Sequence, residues 1–360
     1  MSAPIGNTKA FLVDHGELRV APDGLGNDVM PCGTADDALA PLVDKARGYV
    51  RASRAGSTLG AYRRHFKTFA AWCHAHGRVQ VPADADTMAL FLAEMASRYR
   101  PSSLTAFVSA IAFAHRDVGH AFDRASIETL MAGIRRTHGT AERRMAAITT
   151  AELRRIVVAL PDTLQGVRDR ALLLVGFAAA LRRSELVGLD IGERATDGSG
   201  LVVIGEEGAR VTLLKSKTDQ EGAGIINGIV RGTVPCPVAA LEAWLTSSGT
   251  EHGAIFRPID KAGRIGASRL SDRSVADIVK RAVHRAVIAG GGTEGEAVAR
   301  ASAVAGHSLR AGFATSAAAA NVTGENIARH VGWSSTQMTA RYVREAELFK
   351  NNPLHKVLGD

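Results

Sequence analysis

Cysteine is scarce in this chain: Cys32, Cys73 and Cys236 are far apart, odd in number and form no CxxC pair. That pattern argues against a disulfide framework and against a zinc site. Long hydrophobic runs are also missing. The longest, Ala171 to Leu181, falls short of the ~20 residues that a bilayer span needs. Residues 1 to 30 show no charged start followed by an apolar stretch and cleavage site. A soluble chain that stays in the cytoplasm, with no membrane partner, is therefore expected. No Walker loop, acidic metal cluster or tandem repeat is visible, so no metal or small-molecule cofactor is predicted.

What is present points to a folded, basic protein. Apolar residues make up 46%, which excludes a disordered chain, and 360 residues suit about two domains. The formal charge of +8 favours a polyanionic partner. Much of the excess is arginine, which can grip phosphate through two parallel bonds where lysine acts as a point charge.

Residues 1–35 hold Gly, Pro and Asp without periodicity and read as a flexible arm. Residues 36–137 read as an all-α bundle of four or five helices. Leu59, Tyr62, Phe66 and Phe69 make one apolar stripe, and Arg63, Arg64 and Lys67 lie off it. A second helix is expected near Ala85 with Leu90, Phe91 and Met95 inward, a third after Pro101, and a fourth over Ile127 to Ile134. Arg63, Arg64, Lys67, Arg98 and Arg100 form either a solvated face or a surface that lies against DNA. Ser102 and Ser103, at a helix N-terminus, suit phosphate and favour the second reading.

Residues 138–148 have linker composition, and 149–360 form the second domain. There Thr149-Thr150-Ala151-Glu152 predicts a capping box, and Pro237 and Ser271 each open a helix. Leu201–Ile204, Val211–Leu214 and Ile225–Val230 predict a small antiparallel β-sheet, whose second turn holds Lys215, Ser216, Lys217, Thr218 and Asp219. Ala286 to Ala305, rich in Gly and Ala, reads as loops. The fold class expected is mainly α with a small antiparallel β-sheet: an all-α front domain followed by an α+β domain.

Five segments carry chemistry. His307-Ser308-Leu309-Arg310 puts an imidazole and a guanidinium one helical turn apart. Trp333 adds a donor-only indole N–H, and Arg341-Tyr342 a phenol in a basic neighbourhood. Such a set suits a phosphodiester, because attack on a phosphate moves charge onto two non-bridging oxygens and fixed donors aimed there lower the barrier. Arg310 and Arg182 fit that role. The alternative for Arg182 is an ion pair with Glu185 on the same helix, and both can hold. Arg183 points elsewhere and suits a phosphate less. His307 can accept a phenol proton or donate to the phosphate.

These segments, Leu181-Arg182-Arg183-Ser184-Glu185-Leu186, Ser216-Lys217-Thr218, Gly306-His307-Ser308-Leu309-Arg310-Ala311-Gly312, His330-Val331-Gly332-Trp333 and Arg341-Tyr342, resemble in order the motifs of the tyrosine recombinases of the phage integrase family. The resemblance implies an all-α core-DNA-binding domain and an α+β catalytic domain. It implies a site-specific recombinase that cleaves and rejoins DNA through a 3′-phosphotyrosyl intermediate, without a cofactor. Tyr342 would be the nucleophile, being the one tyrosine downstream of the His307 and Trp333 segments. Lys217 would be the general acid, with Lys215 as its alternative, and Glu185 would orient its neighbours. A nucleoid-associated homotetramer is implied, acting on double-stranded DNA with inverted-repeat sites. Members clamp DNA between the two domains, and a C-terminal helix at 345–360 would dock on a neighbouring protomer. The likeness also suggests that Lys261 meets a phosphate and that Arg273 reads a guanine edge. Two rival readings remain, a DNA-binding protein without catalysis and a type IB topoisomerase or telomere-resolvase-like enzyme.

Overall fold

Hydrophobic spacing in the front third becomes the helices Gly56–Ala75, Ala85–Ala96, Pro101–Asp117 and Arg124–His138. The computed structural model describes residues 56–139, 145–196, 198–214, 225–333 and 337–347. It adds short runs at 12–14, 17–19 and 354–357 and single positions at 42, 45 and 49. By internal contacts the chain divides into two units, Met1–Arg143 and Arg144–Asp360.

The front unit closes on aromatic rings. Phe66, Phe69, Phe91 and Phe107 are buried, and Phe69–Phe91 and Phe91–Phe107 meet edge to face at 4.9 and 5.5 Å. Asp84 starts the second helix by accepting from the Thr87 amide at 2.6 Å. That helix buries Met88, Phe91, Leu92 and Met95, while Leu90 is exposed, contrary to expectation. Positions 88, 91, 92 and 95 keep the i, i+3, i+4, i+7 rhythm, and 90 falls off it. Ser57 and Thr58 lie inside the first turn of Gly56–Ala75. Arg63, Arg64, Lys67, Arg98, Arg100 and Ser102 are exposed, and Ser103 is half-buried. In the stretch read as an arm, β1 (Leu12–Asp14) pairs antiparallel with β2 (Glu17–Arg19).

The second unit is mainly helical around one mixed sheet. β3 (Leu189–Ile191), β4 (Gly200–Ile204), β5 (Gly208–Leu213), β6 (Ile225–Val230) and β7 (Gly253–Ala254) stand in the order β6-β5-β4-β3-β7. The three expected strands β4, β5 and β6 pair antiparallel. β3, unexpected, runs parallel to β4 and antiparallel to β7. Asp190 interrupts its apolar pattern, and this fully buried carboxylate is held by Arg269 at 2.6 Å. Trp244, also fully buried, donates to the Ile255 carbonyl at 2.8 Å, so its indole N–H is satisfied inside the core.

Two local expectations are corrected. The 286–305 stretch is not all loop: after Gly290-Gly291-Gly292, Thr293 and Glu296 form a reciprocal capping box that starts the helix Glu294–Ser302. The Gly/Ala content hid a T-x-x-E start signal. At Thr149 only half a box forms, the hydroxyl accepting from the Glu152 amide at 3.4 Å. The Glu152 carboxylate turns instead to Arg300, which it binds at 2.8 and 2.5 Å, because a bidentate ion pair outweighs one amide bond. Among the described residues no helix is long and apolar enough to cross a membrane.

Candidate active site

The helix Leu164–Ala178 ends four residues before Arg182, the N-cap of the short helix Arg183–Val187, so its C-terminus aims the first candidate arginine. The chain leaves it through Ala180 at φ 50, a left-handed conformation that costs a non-glycine residue about 1–2 kcal/mol. The last carbonyls of a helix have no intrahelical partner. Here three in succession take donors from far along the chain. Ala178 O accepts from His330 Nε2 at 2.7 Å, Ala179 O from Asn227 Nδ2 at 3.2 Å, and Ala180 O from Arg310 Nη1 at 2.7 Å. Each distant segment is thereby fastened to one turn of backbone.

Arg182 and Glu185 form the ion pair foreseen from their spacing. Arg182 Nη1 donates to Glu185 Oε1 at 2.6 Å, and the Arg182 amide donates to Glu185 Oε2 at 2.8 Å. Glu185 is buried, and its Oε2 also lies 4.0 Å from Arg310 Nη1, so one carboxylate faces both arginines.

Arg310 is only 2% exposed. Among the described residues its Nε and Nη2 have no hydrogen-bond partner, although both are buried. Burial, then repulsion from Arg182, lowers its pKa to about 10, with Glu185 and Tyr342 opposing, so it stays charged at neutral pH. His307 stands at the head of the helix Ser308–Ala319, one turn before Arg310. The residue keeps exposed surface, while surrounding protein partly desolvates the ring. That desolvation, then Arg310, Arg182 and Arg183, lowers its pKa below the ordinary imidazole value, leaving it neutral at pH 7.

Gly332, at φ 69, ends the helix Gly324–Val331 and delivers Trp333. The Trp333 ring stacks on Tyr342 at 5.4 Å and 15°, and the Arg310 guanidinium lies 5.7 Å from the Trp333 ring centre. Tyr342, on the helix Gln337–Glu347, is half-buried with the Arg341 guanidinium 5.7 Å from its ring centre. Ala180, Ala314, Ala318, Ile327 and Val331 form the small apolar floor beneath these rings.

The fold thus gathers Arg182, Glu185, His307, Arg310, Trp333 and Tyr342. Lys217 and its alternative Lys215 lie outside the described residues, between β5 and β6. Arg183 runs its stem along Gly306, where a Cβ would overlap it, and its guanidinium lies 3.9 Å from Asp272. Lys261 and Arg273 are exposed, the first in the Asp260–Arg264 turn and the second in the opening turn of the helix Asp272–Ala289. Sequence reasoning missed Asn227 and the ring of His330. The one available signal was a polar amide inside the apolar run Ile225–Val230.

Comparison with known proteins gives this geometry its class. Residues 146–348 match the model of the phage integrase family. An integrase/recombinase XerD homolog of Selenomonas ruminantium is 32% identical over 321 residues, covering 87% of this chain and 89% of its own. Recombinase Cre of Escherichia phage P1 is 24% identical over 297 residues, covering 78% and 82%. The crystal structure of a lambda integrase dimer bound to a COC′ core site shares the fold, with a TM-score of 0.53 and 14% identity over 86% of this chain and 82% of that one. The chain belongs to the phage integrase family of tyrosine-type site-specific recombinases. Its activity is therefore site-specific recombination.

Proposed function

We propose that Tyr342 is the nucleophile of this recombination and that Arg182, Glu185, His307, Arg310, Trp333 and Lys217 serve it. The Tyr342 oxygen attacks the scissile phosphorus of a DNA strand and passes its proton to the neutral His307. The bond from phosphorus to the 5′ oxygen breaks, and that oxygen takes a proton from Lys217. A 3′-phosphotyrosyl ester results, which keeps the energy of the broken bond. A 5′ hydroxyl from a second duplex then reverses the steps and joins the strands. Arg310 and Arg182 hold the two non-bridging oxygens, Glu185 orients both guanidiniums, and Trp333 walls the nucleophile.

One observation carries this reading: Arg310 is buried with two donors unpartnered among the described residues. A buried donor left unpaired is costly, and an anion is what such a fork satisfies. The phosphodiester is that anion. In the front unit Arg63, Arg64, Lys67, Arg100, Ser102 and Ser103 meet the DNA backbone, as does Lys261 in the second unit, and Arg273 reads a base edge. Residues 36–137 are the core-binding domain, and 149–360 the catalytic domain. Four copies assemble on two inverted-repeat sites of the nucleoid, each passing its 345–360 segment to a neighbour. The exposed Leu354 and Val357 of the helix Leu354–Val357 suit burial in another copy.

The test uses nicked duplexes carrying the site that the protein selects from a random-sequence library. A covalent adduct on a denaturing gel is expected with the wild type and none with Tyr342→Phe. An adduct that persists in the variant overturns the nucleophile assignment. No adduct with the wild type supports a binding protein instead. Relaxation of supercoils without strand exchange between two sites supports a topoisomerase-like enzyme.

A further inference from the structure

Asn227 sits in the middle of β6, among Ile225, Ile226, Ile229 and Val230, and is only 6% exposed. An amide in such a place is costly unless its donors are used. Both are. Nδ2 donates to the Ala179 carbonyl at 3.2 Å and to the His330 carbonyl at 2.8 Å. Because both partners are acceptors, the side chain is fixed with its nitrogen toward them.

The two carbonyls belong to two different helix ends. Ala179 caps the helix Leu164–Ala178 and stands three residues before Arg182. His330 lies in the last turn of Gly324–Val331 and stands three residues before Trp333. Those helix ends are otherwise tied by the His330 ring, which donates to the Ala178 carbonyl at 2.7 Å, and by Arg310, itself part of the site. β6 is also the first described strand after Lys217 in the chain, beginning at Ile225. One side chain of β6 therefore links the backbone that aims Arg182 to the backbone that aims Trp333.

We propose that Asn227 is a positioning residue for strand cleavage, holding Arg182 and Trp333 in mutual register through the Ala179 and His330 carbonyls. The proposal rests on the reading that Arg182 meets the scissile phosphate. Leucine at 227 keeps the volume and removes both donors, which leaves two carbonyls unpaired where the chain turns. Aspartate keeps the shape and turns a carboxylate toward the same two oxygens. Misplacing a catalytic group by about 1 Å costs on the order of 100-fold in rate, with little change in ground-state binding.

The experiment measures single-turnover cleavage and DNA affinity for the full-length wild type, Asn227→Leu, Asn227→Asp and Arg182→Ala. Two suicide duplexes are used, one with the ordinary phosphodiester and one with a methylphosphonate, which lacks one non-bridging charge, at the scissile position. Asn227→Leu and Asn227→Asp are expected to bind within about 3-fold of the wild type and to cleave the phosphodiester about 100-fold more slowly. The defect should shrink below about 10-fold on the methylphosphonate, because a neutral group needs less from Arg182.

If Asn227→Leu cleaves both duplexes like the wild type while Arg182→Ala is inactive, the proposal fails and the arginine reading stands. If Arg182→Ala cleaves normally, that reading fails, and the proposal with it. An equal defect on both duplexes means general damage and overturns the positioning role. So does loss of cooperative thermal unfolding in both Asn227 variants, since the amide would then serve the fold rather than the site.

Discussion

The core of the front unit and the floor of the site are both apolar clusters, yet they are built to opposite ends. In the front unit large rings fill the space, and the polar groups among them are paired. Trp72 Nε1 donates to Glu94 at 2.7 Å, and buried His115 accepts from the Ala83 amide and donates to the Ile111 carbonyl, each at 2.8 Å. Beneath Tyr342 the residues are mainly alanines, one of them left-handed, and the adjoining Arg310 keeps two buried donors without a partner. The first cluster is complete without a ligand. The second leaves two donors that an anion would complete, and strain gathered at one place is what a functional site leaves in a fold.

Removing the guanidinium that holds the two unpartnered donors breaks the comparison most sharply. Arg310→Leu should lower single-turnover cleavage by about 1000-fold or more. It should move the urea midpoint of the second unit by the equivalent of less than about 2 kcal/mol, since Glu185 keeps Arg182 at 2.6 Å and only the Ala180 carbonyl loses its donor. A midpoint that falls by the equivalent of more than about 2 kcal/mol would make Arg310 a structural residue. Next comes Phe91→Ala in the front core. A cost of about 3–5 kcal/mol is expected in the unfolding of the front unit, and a loss under about 1 kcal/mol would show that its core is slack.

Small residues near the site are a different matter from slack. Gly312 lies in the helix Ser308–Ala319, where an added Cβ would overlap the Ile148 carbonyl. Gly312→Ala should therefore destabilise the second unit by about 1–3 kcal/mol, although alanine is the better helix former. A stabilised variant in thermal unfolding would refute the close approach. The smallest effect concerns His115, whose pKa burial lowers, with His120 adding to it. The unfolded chain then binds a proton first as pH falls below about 6.5, so stability present above that pH is lost below it, by at most about 1.4 kcal/mol per pH unit. The front-unit transition should show this slope, and His115→Gln should flatten it.

How much was legible depends on the range of the interaction. Helices followed largely from apolar rhythm, with Ser271 read as the start of one, whereas the Thr293 start went unread among its Gly and Ala neighbours. β3 was not legible, because Asp190 breaks its pattern and Arg269, seventy-nine residues away, is what makes that carboxylate tolerable. The half-formed box at Thr149 has the same origin, since Arg300 lies outside any local window. Of the site, the residue types and their order along the chain were readable, and the contact from Glu185 to Arg310 was not. Asn227 escaped because an asparagine in a strand declares nothing until its two acceptors are in place.

By itself the sequence determined the chemistry available: the phenol, the imidazole one turn before a guanidinium, the indole, and the arginine three residues before a glutamate. Such choices are written in side-chain identity and near spacing, which need no fold to be read. Only the tertiary structure decided which donors stay free. Arg310 spends one nitrogen on the Ala180 carbonyl and keeps two, because the helix that ends at Ala178 turns through a left-handed alanine beside it. Whether a donor is satisfied depends on partners more than a hundred residues distant, and the folded chain alone brings them within reach.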